Sequence, residues 1–341
     1  MSYNAALLRA LAGGEPVSGE ALGRALGTSR AAVWKGIRRL RALGLEVEAR
    51  PGQGYRLAAP LELLDAAGIR AGLPAAAAAR IRRLEVMPET ASTNARVLAA
   101  EAAPGELVAC LAEYQSAGRG RRGRRWLAAP GHGLCLSVGG RLPASPAAYA
   151  GLSTAVGVAL ADALEREGVG PIGLKWPNDL LLGGGKLGGV LIELRGEAQG
   201  PVTLAVGVGL NVRLGPAVRA GIEAAGGWAP ADLAQAAAES GAPLPDRNRL
   251  AAALVAALAG CLAEEPGTQG SRLGRAVLEG WRTRDALRDR PVRVSDAGGR
   301  PGAALAGIAR GVDASGALVV ETADGARHRV TAGEATLRMS G

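Results

Sequence analysis

The segment GRGRRGRRW, residues 118–126, concentrates five arginines, three glycines and a tryptophan in nine positions. Each glycine would cost a helix roughly 1 kcal/mol relative to alanine, and an apolar core does not accommodate five guanidinium groups. We therefore predict a loop, and we name it the arginine loop. As a solvated basic segment it would be a general nucleic-acid patch. As a ligand clamp, its glycines would admit a ligand closely while its arginines donate paired hydrogen bonds to phosphate or carboxylate.

Two lysine-containing segments add groups that suit the second interpretation. LKWPNDLLL places Lys175, Asn178 and Asp179 around a proline at the end of an apolar run, where a rigid turn can present polar groups to a cleft. GGGKLGGVLIE sets Lys186 among glycines, so that its ammonium group can reach a ligand. Each segment alone is equally consistent with an ordinary turn or hairpin. Together with the arginine loop they supply cations for phosphates and a carboxylate for a metal or an amine, which predicts a nucleotide-dependent ligase.

The composition favours a polyanionic partner and argues against several other chemistries. The 341 residues carry a formal net charge of +9, and lysine survives only at Lys35, Lys175 and Lys186, which suggests positions that need a compact point charge. Two isolated histidines argue against a zinc site or a histidine-dependent triad, and three widely spaced cysteines against a disulfide framework. With no signal-peptide pattern and no apolar run of roughly 18 residues, we expect a cytoplasmic protein without membrane association.

Residues 1–60 predict a winged helix-turn-helix DNA-binding domain. SGEALGRALGTSRAAVWKGIRRLRALG contains two helices joined at LGTS, and LEVEARPGQGYRL predicts the two strands of the wing. In the major groove of DNA, the second helix would read base edges with its first residues and bind phosphates with flanking cations. A solvated helical bundle for protein contacts is the alternative. The candidate DNA-binding residues are Ser29, Arg30, Trp34, Lys35 and Arg38.

The remainder of the chain predicts a catalytic domain of the α+β class over residues 61–288 and a small β-barrel over residues 289–341. A linker and domain entry are expected near residues 58–80. Strand-like runs joined by short glycine turns then favour an antiparallel or mixed sheet, and the alanine-rich residues from 230 to about 285 predict helices. Short alternating runs after Arg290, separated by glycine or aspartate turns, are typical of a barrel.

The order of these motifs resembles that of the biotin protein ligases. The arginine loop, KWPND, the lysine of KLGGVLIEL, GVGLN, and STN at residues 92–94 occur in the family's order and at similar distances. The N-terminal segment looks like the DNA-binding domain of the bifunctional members, which also repress biotin genes. The resemblance is weakest over residues 214–288. It implies a winged helix-turn-helix, a central mixed-sheet domain like that of class II synthetases, and a C-terminal SH3-like β-barrel.

The resemblance implies a two-step reaction that uses ATP and Mg²⁺, with biotin as substrate. ATP would convert the carboxylate of biotin to biotinyl-5′-adenylate with loss of pyrophosphate. A lysine amine of the biotin carboxyl carrier protein of acetyl-CoA carboxylase would then attack the mixed anhydride. Mg²⁺ and positioned cations would stabilise the charge that builds on the α-phosphate.

The resemblance also implies which residues bind each substrate. Carried over by position, the biotin-binding residues would be Ser92, Thr93, Asn94, Gln115, Gly118, Arg119, Gly120, Arg121 and Lys186. The residues around ATP and the adenylate would be Arg121, Arg124, Trp126, Lys175, Asn178, Asp179 and Asn211. Catalysis would fall to Arg121, Lys175, Asp179 and Lys186, with Asp179 orienting the acceptor amine. The metal ligands stay unknown.

Partners follow from the same resemblance. We expect the carrier protein, a DNA operator and an adenylate-dependent homodimer formed by edge-to-edge pairing of the central sheets. The arginine loop would be mobile without ligand and would order over the adenylate. A lipoate or octanoyl ligase shares this catalytic logic, but the arginine loop and the DNA-binding domain disfavour it. A transcription factor that only senses a small ligand would not need Asp179 together with both Lys175 and Lys186.

Overall fold

The N-terminal domain has the helix-turn-helix and the wing that the sequence predicts. Ser29 begins the second helix of the motif by accepting a hydrogen bond from the backbone N–H of Ala32, and Val33, Ile37 and Leu40 bury one face of that helix. The elements are α1 (Ala5–Leu11), α2 (Gly19–Ala25), α3 (Arg30–Ala42) and the antiparallel wing strands β1 (Val47–Arg50) and β2 (Gly54–Leu57). The computed structural model describes residues 3–197, 200–226, 228–263, 273–296 and 302–337.

The central domain is a mixed sheet with helices on both faces. Its strands are β3 (Ile81–Met87), β4 (Leu107–Ala112), β5 (Gly133–Leu142), β6 (Ile172–Lys175), β7 (Asp179–Leu182), β8 (Gly185–Gly196) and β9 (Val202–Asn211). Its helices are α4 (Ala66–Ala71), α5 (Ala75–Arg80), α6 (Thr93–Leu98), α7 (Leu152–Arg166), α8 (Pro216–Ala224), α9 (Leu233–Ser240), α10 (Arg247–Ala263) and α11 (Arg275–Arg284). In the described residues the strand order is β3-β4-β5-β9-β8-β7-β6, with only the β3–β4 pair parallel, so the predicted mixed sheet is confirmed.

The two faces of this sheet differ because side chains alternate along a strand. On β9, Val206, Val208 and Leu210 belong to the main core, on which α7 and α10 pack. The intervening Gly207 faces α6, where an added Cβ would lie 2.4 Å from Oδ1 of Asn94. One face of the sheet therefore carries the core, and the other is kept open by small residues.

Helix α7 supports the sheet from within the core. The segment Pro146–Arg166, which contains α7, is the one segment in the described part of the chain that is long and apolar enough to cross a membrane by length and composition. Yet 61% of its apolar window is buried, and Arg284 of α11 pairs with Asp162 and Glu165 of α7. Such burial is typical of a core helix.

The C-terminal domain is a small antiparallel sheet that shares the main core. Residues 297–301 and 338–341 of the predicted barrel lie outside the described residues. Val292 and Val294 extend the main core, and the indole N–H of Trp176 donates to the carbonyl oxygen of Gly316 at 3.1 Å. The strands are β10 (Pro291–Ser295), β11 (Ala304–Val312), β12 (Leu318–Glu321), β13 (Arg327–Val330) and β14 (Glu334–Leu337), in the order β13-β12-β11-β10-β14.

Four of the named elements, α4, α5, β3 and α8, have no counterpart in the sequence prediction. Strand β3 follows the expected linker at residues 58–80, which instead forms α4 and α5. Strand β3 lies at the edge of the sheet, and Arg82 and Arg83 near its start are exposed. These charged residues interrupt the alternation of apolar and polar positions that identifies a strand in a sequence. Helix α8 falls in the stretch where the family resemblance is weakest.

Candidate active site

A cavity of about 880 Å³ lies on the glycine-lined face of the sheet, between α6, the arginine loop, β6 to β9, α8 and β14. Among the described residues that line it, seven are cationic and two are acidic, so the cavity suits an anionic ligand. The structure brings nearly all predicted substrate-binding residues to this one place. Those in the lining are Ser92, Thr93, Asn94, Gln115, Arg119, Gly120, Arg121, Arg124, Trp126, Lys175, Asn178, Asp179, Lys186 and Asn211.

One end of the cavity is lined by neutral side chains around the start of α6, and hydrogen bonds hold these side chains in place. The hydroxyl of Ser137 donates to Oδ1 of Asn94 at 2.6 Å and lies 2.7 Å from the hydroxyl of Thr93. The backbone N–H of Thr93 donates to Oε1 of Gln115 at 2.8 Å, and Nδ2 of Asn94 donates to Glu193 at 2.7 Å. Because each side chain is held by its neighbours, this end can recognise a small polar group with fixed donors and acceptors.

The other end of the cavity is basic and is organised by Asp179. Its carboxylate lies 2.6 Å from Nζ of Lys186 and 3.5 Å from Nζ of Lys175. Lys175 is only 3% exposed, and burial lowers the pKa of its ammonium group although Asp179 opposes that effect. One carboxylate between two ammonium groups leaves a net positive charge facing the cavity.

A tight hairpin places these three groups together. Gly183 and Gly184 both have positive φ, +56° and +80°, and form the two-residue turn between β7 and β8. The returning strand sets Lys186 opposite Leu181, and Lys175 pairs directly with Asp179 across β6 and β7. The glycines of GGGK therefore fix the position of Lys186.

The arginine loop is a closed turn. The backbone N–H of Trp126 donates to the carbonyl oxygen of Gly118, and the N–H of Gly120 donates to that of Arg124. Between them Arg122 adopts a left-handed φ of +58°, which reverses the chain. Gly118 is buried and is absent from the described lining of the cavity; a Cβ there would lie 2.9 Å from the carbonyl oxygen of Trp126. Gly118 thus supports the loop, and its contact with a ligand stays a prediction.

Aromatic and amide groups complete the lining. The indole of Trp126 packs directly on Gly209 of β9. A Cβ at this position would come within 2.4 Å of the ring, so only glycine leaves room for the indole. Asn211 donates from Nδ2 to the carbonyl oxygen of Ala231 at 3.0 Å, while its buried Oδ1 has no hydrogen-bond partner among the described residues. A buried acceptor of this kind is costly unless a ligand donor reaches it.

Ile222, Trp228 and Glu334 are among the lining residues that escaped the sequence prediction. The ring centroid of Trp228 lies 5.6 Å from Nζ of Lys175. In the sequence, the only indication of a role for Trp228 was that it is a lone tryptophan in an alanine-rich stretch. Glu334, on β14, accepts hydrogen bonds from both Nη atoms of Arg124 at 2.7 and 2.8 Å. The C-terminal sheet therefore contributes a wall of the cavity.

The candidate DNA-binding residues form a separate site on α3. Trp34 is 48% exposed, and the guanidinium of Arg38 stacks on its ring at 4.8 Å. Arg30 and Lys35 are exposed beside it, whereas Ser29 uses its hydroxyl to cap the helix. The exposed face of α3 is therefore basic with an aromatic centre.

A helix-turn-helix domain, a mixed-sheet domain with a cation-rich cavity and a small antiparallel sheet define a class of three-domain ligases. Sequence comparison matches the HTH domain at residues 4–56, the biotin/lipoate A/B protein ligase family at residues 86–211, and the biotin protein ligase C terminal domain at residues 289–338.

Whole-chain relatives agree with the domain matches. The bifunctional ligase/repressor BirA of Salmonella typhimurium is 39% identical over 336 residues, covering 97% of this chain and 96% of the relative. The protein of that name from Escherichia coli K12 is 38% identical over the same shares. A solved biotin protein ligase from Aquifex aeolicus, in complex with biotin and ATP, covers 76% of this chain and 100% of its own with a TM-score of 0.59 and 22% identity, which shows a common fold. The chain belongs to the biotin protein ligase family.

Replacing Glu334 by glutamine should expose the arginine loop. The substitution removes the negative charge that Arg122 and Arg124 share, while the size of the side chain is kept. Because an exposed ion pair contributes about 0.2–1 kcal/mol, tryptic cleavage after the loop arginines should become about 1.4- to fivefold faster. The measurement is limited proteolysis with the fragments identified by mass spectrometry. The control is Glu321→Gln, which loses ion pairs within the same sheet; equal cleavage rates in both variants would refute the contact's role.

Proposed function

We propose that this protein is an ATP-dependent biotin protein ligase. It activates biotin as biotinyl-5′-adenylate, transfers biotin to a lysine of the biotin carboxyl carrier protein, and acts as a biotin-responsive repressor through α3. The observation that carries this proposal is the cavity itself. A neutral network around α6 at one end and the Lys175–Asp179–Lys186 group at the other match a substrate with a polar ring system and a carboxylate that must meet a phosphate.

The first step joins the two ends of the cavity. The ureido ring of biotin binds the network of Thr93, Asn94 and Gln115, and its carboxylate extends toward Lys186. Attack of a carboxylate oxygen on the α-phosphorus of ATP forms the acyl-phosphate bond and releases pyrophosphate. Lys175, Lys186 and the half-buried Arg121 stabilise the negative charge that develops there, because positioned cations act strongly where water is excluded.

In the second step the acceptor amine attacks the acyl carbon, and AMP leaves. We assign the orientation of the incoming amine to Asp179, whose carboxylate lines the cavity beside Lys186. The arginine loop orders over the adenylate between the two steps, and the position of Arg119 and Arg121 in the lining of the cavity supports that role.

Mg²⁺ fits the site only as part of the nucleotide. No cluster of three or more His, Cys, Asp or Glu side chains occurs in the part of the chain that the structure describes, and both acidic residues of the cavity, Asp179 and Glu334, are already paired with cations. Magnesium is commonly held by substrate phosphates with few protein ligands. It would neutralise phosphate charge, while Lys175, Lys186 and Arg121 hold the phosphates in place.

The organisation of the whole protein is part of the same proposal. We place the domain boundaries near residues 60 and 288, and we propose a cytoplasmic location, a DNA operator as partner of α3, and an adenylate-dependent homodimer. The last part of β8 supports the last point, because residues 192–196 pair with β9 and show no strand pairing on their other side in the described part of the chain.

The ligase activity is tested directly by incubating the protein with ATP, Mg²⁺, biotin and a carrier domain, with lipoate in a parallel reaction. Intact mass spectrometry of the carrier should show addition of biotin and none of lipoate. Addition of lipoate alone would indicate the related lipoate chemistry. Biotin binding without any transfer would indicate a sensor built on a silent ligase.

Asp179→Asn should slow transfer more than adenylation. The amide keeps the size of the side chain but loses the charge that orients an amine, so we expect transfer to fall about 10- to 100-fold. Single-turnover measurements on preformed adenylate separate this step from pyrophosphate release. Asp162→Asn, on the remote end of α7, is the matched control and should change neither rate. Equal losses in both steps would remove the proposed role.

Trp34→Ala should weaken operator binding without changing its salt dependence. An exposed indole can contact base edges but carries no charge, so its loss should leave the salt slope unchanged. Lys35→Met removes a cation and should lower the salt slope by about 1. The DNA is a duplex selected from a random pool by the protein with biotin and ATP, and affinities are measured at several salt concentrations. Arg24→Met, on α2 and paired with Glu20, is the control. Unchanged affinity in Trp34→Ala would exclude the indole from the interface.

A further inference from the structure

A buried ion pair lies outside the cavity, between Arg247 at the start of α10 and Glu113 just after β4. Arg247 is 3% exposed and Glu113 is 7% exposed, and Nη2 of Arg247 lies 2.9 Å from Oε2 of Glu113. The other carboxylate oxygen accepts a hydrogen bond from the backbone N–H of Leu64. Burying such a pair costs desolvation that its attraction often fails to recover, so stability alone is a weak reason for it.

Arg247 also reaches beyond Glu113. Its Nη2 donates to the carbonyl oxygen of Gly133 at 2.9 Å, and its Nη1 donates to the carbonyl oxygen of Glu62. The carboxylate of Glu62 in turn accepts from the backbone N–H of Arg247 at 2.8 Å. One guanidinium therefore joins the end of β4, the start of β5 and the segment that leaves the N-terminal domain.

Glu113 and Gly133 are the two ends of the chain segment that carries the arginine loop. Gln115, which meets Thr93 in the neutral network, comes two residues after Glu113. The backbone N–H of Gly131 donates to the carbonyl oxygen of Glu113 at 3.0 Å, so the outgoing and returning chains meet beside the ion pair. Arg247 thus contacts both ends of residues 113–133.

The N-terminal domain packs against the same two ends. The ring of Tyr114 meets that of Tyr3 edge to face, with centroids 6.1 Å apart. On the returning side, Ala129 belongs to the hydrophobic core of the N-terminal domain. A shift of either end would therefore be transmitted along a short, packed segment to Gln115 and the arginine loop.

We propose that Arg247 is a positioning residue for the ligand cavity. Through Glu113 and the carbonyl of Gly133 it fixes both ends of residues 113–133, and so sets Gln115 and the arginine loop against α6. The inference rests on the proposed function for the identity of the ligand, biotin, and on geometry alone for the position of the loop.

The test uses Arg247→Lys and Glu113→Gln in the full chain. A lysine ammonium cannot reach Glu113, Gly133 and Glu62 together, so Gln115 should lose its alignment. We expect the biotin Kd by calorimetry and the KM for biotin to rise about tenfold, as for one lost hydrogen bond of ordinary strength, with kcat changed less than twofold. Tryptic cleavage of the arginine loop should also become faster.

The matched control is Arg284→Lys, which weakens a partly buried ion pair between α11 and α7. It should lower the melting temperature and leave the KM for biotin unchanged. If Arg247→Lys does not fold, Glu113→Gln carries the test because it keeps a neutral acceptor for Arg247.

Two outcomes decide the proposal. If the folded variants match Arg284→Lys, with lower stability but unchanged biotin affinity and loop cleavage, the pair is only structural and the proposal is wrong. If the wild-type protein binds no biotin, the proposed function fails, and loop cleavage still reports on Arg247. Faster cleavage in Arg247→Lys than in Arg284→Lys would then support positioning, and equal cleavage would overturn it.

Discussion

The carboxylate of Asp179, shared by Lys175 and Lys186, is the interaction on which the cavity depends. Removing ammonium groups from water is costly, and Lys175 is almost fully buried. A single carboxylate contacts both ammonium groups and opposes the effect of burial on the pKa of Lys175, yet leaves an excess of positive charge for an anionic ligand. The β6–β7 pairing and the two-glycine turn before β8 are the means by which the backbone brings these three groups together.

The arginine loop also concentrates positive charge, and residues of the other two domains contact the segment that carries it. Arg122 and Arg124 pair with Asp296 and Glu334 of the C-terminal sheet, while the ends of the loop segment pack on the N-terminal domain. Mutual repulsion among the arginines is thereby reduced without neutralising Arg119 and Arg121, which line the cavity. The segment that carries the arginine loop is consequently in contact with both other domains, although most residues that line the cavity belong to the central one.

The sequence predicted those parts of the site that are local. Glycines, prolines and charges in KWPND, GGGK and the arginine loop act within a few residues of each other, so their chemistry could be inferred from spacing. Glu334 and Arg247 are different, because each contacts a residue more than one hundred positions away, and Glu334 does so across a domain boundary. Strand β3 was missed for a related reason, because its only strand partner in the described sheet is β4, which lies about 25 residues further along the chain. The charged residues of β3 also interrupt the alternation of apolar and polar positions.

The three surviving lysines show how far composition can be used as an argument. In a chain that otherwise uses arginine, we expected lysine where a compact point charge is needed. Lys175 and Lys186 meet that expectation, because both converge on Asp179 and Lys175 lies beneath Trp228, where a planar guanidinium would need more hydrogen-bond partners. Lys35 does not, since it is exposed on α3 with room for either side chain. Burial therefore accounts for lysine at position 175 and the contact with Asp179 for lysine at position 186, whereas at α3 the structure gives no reason for it.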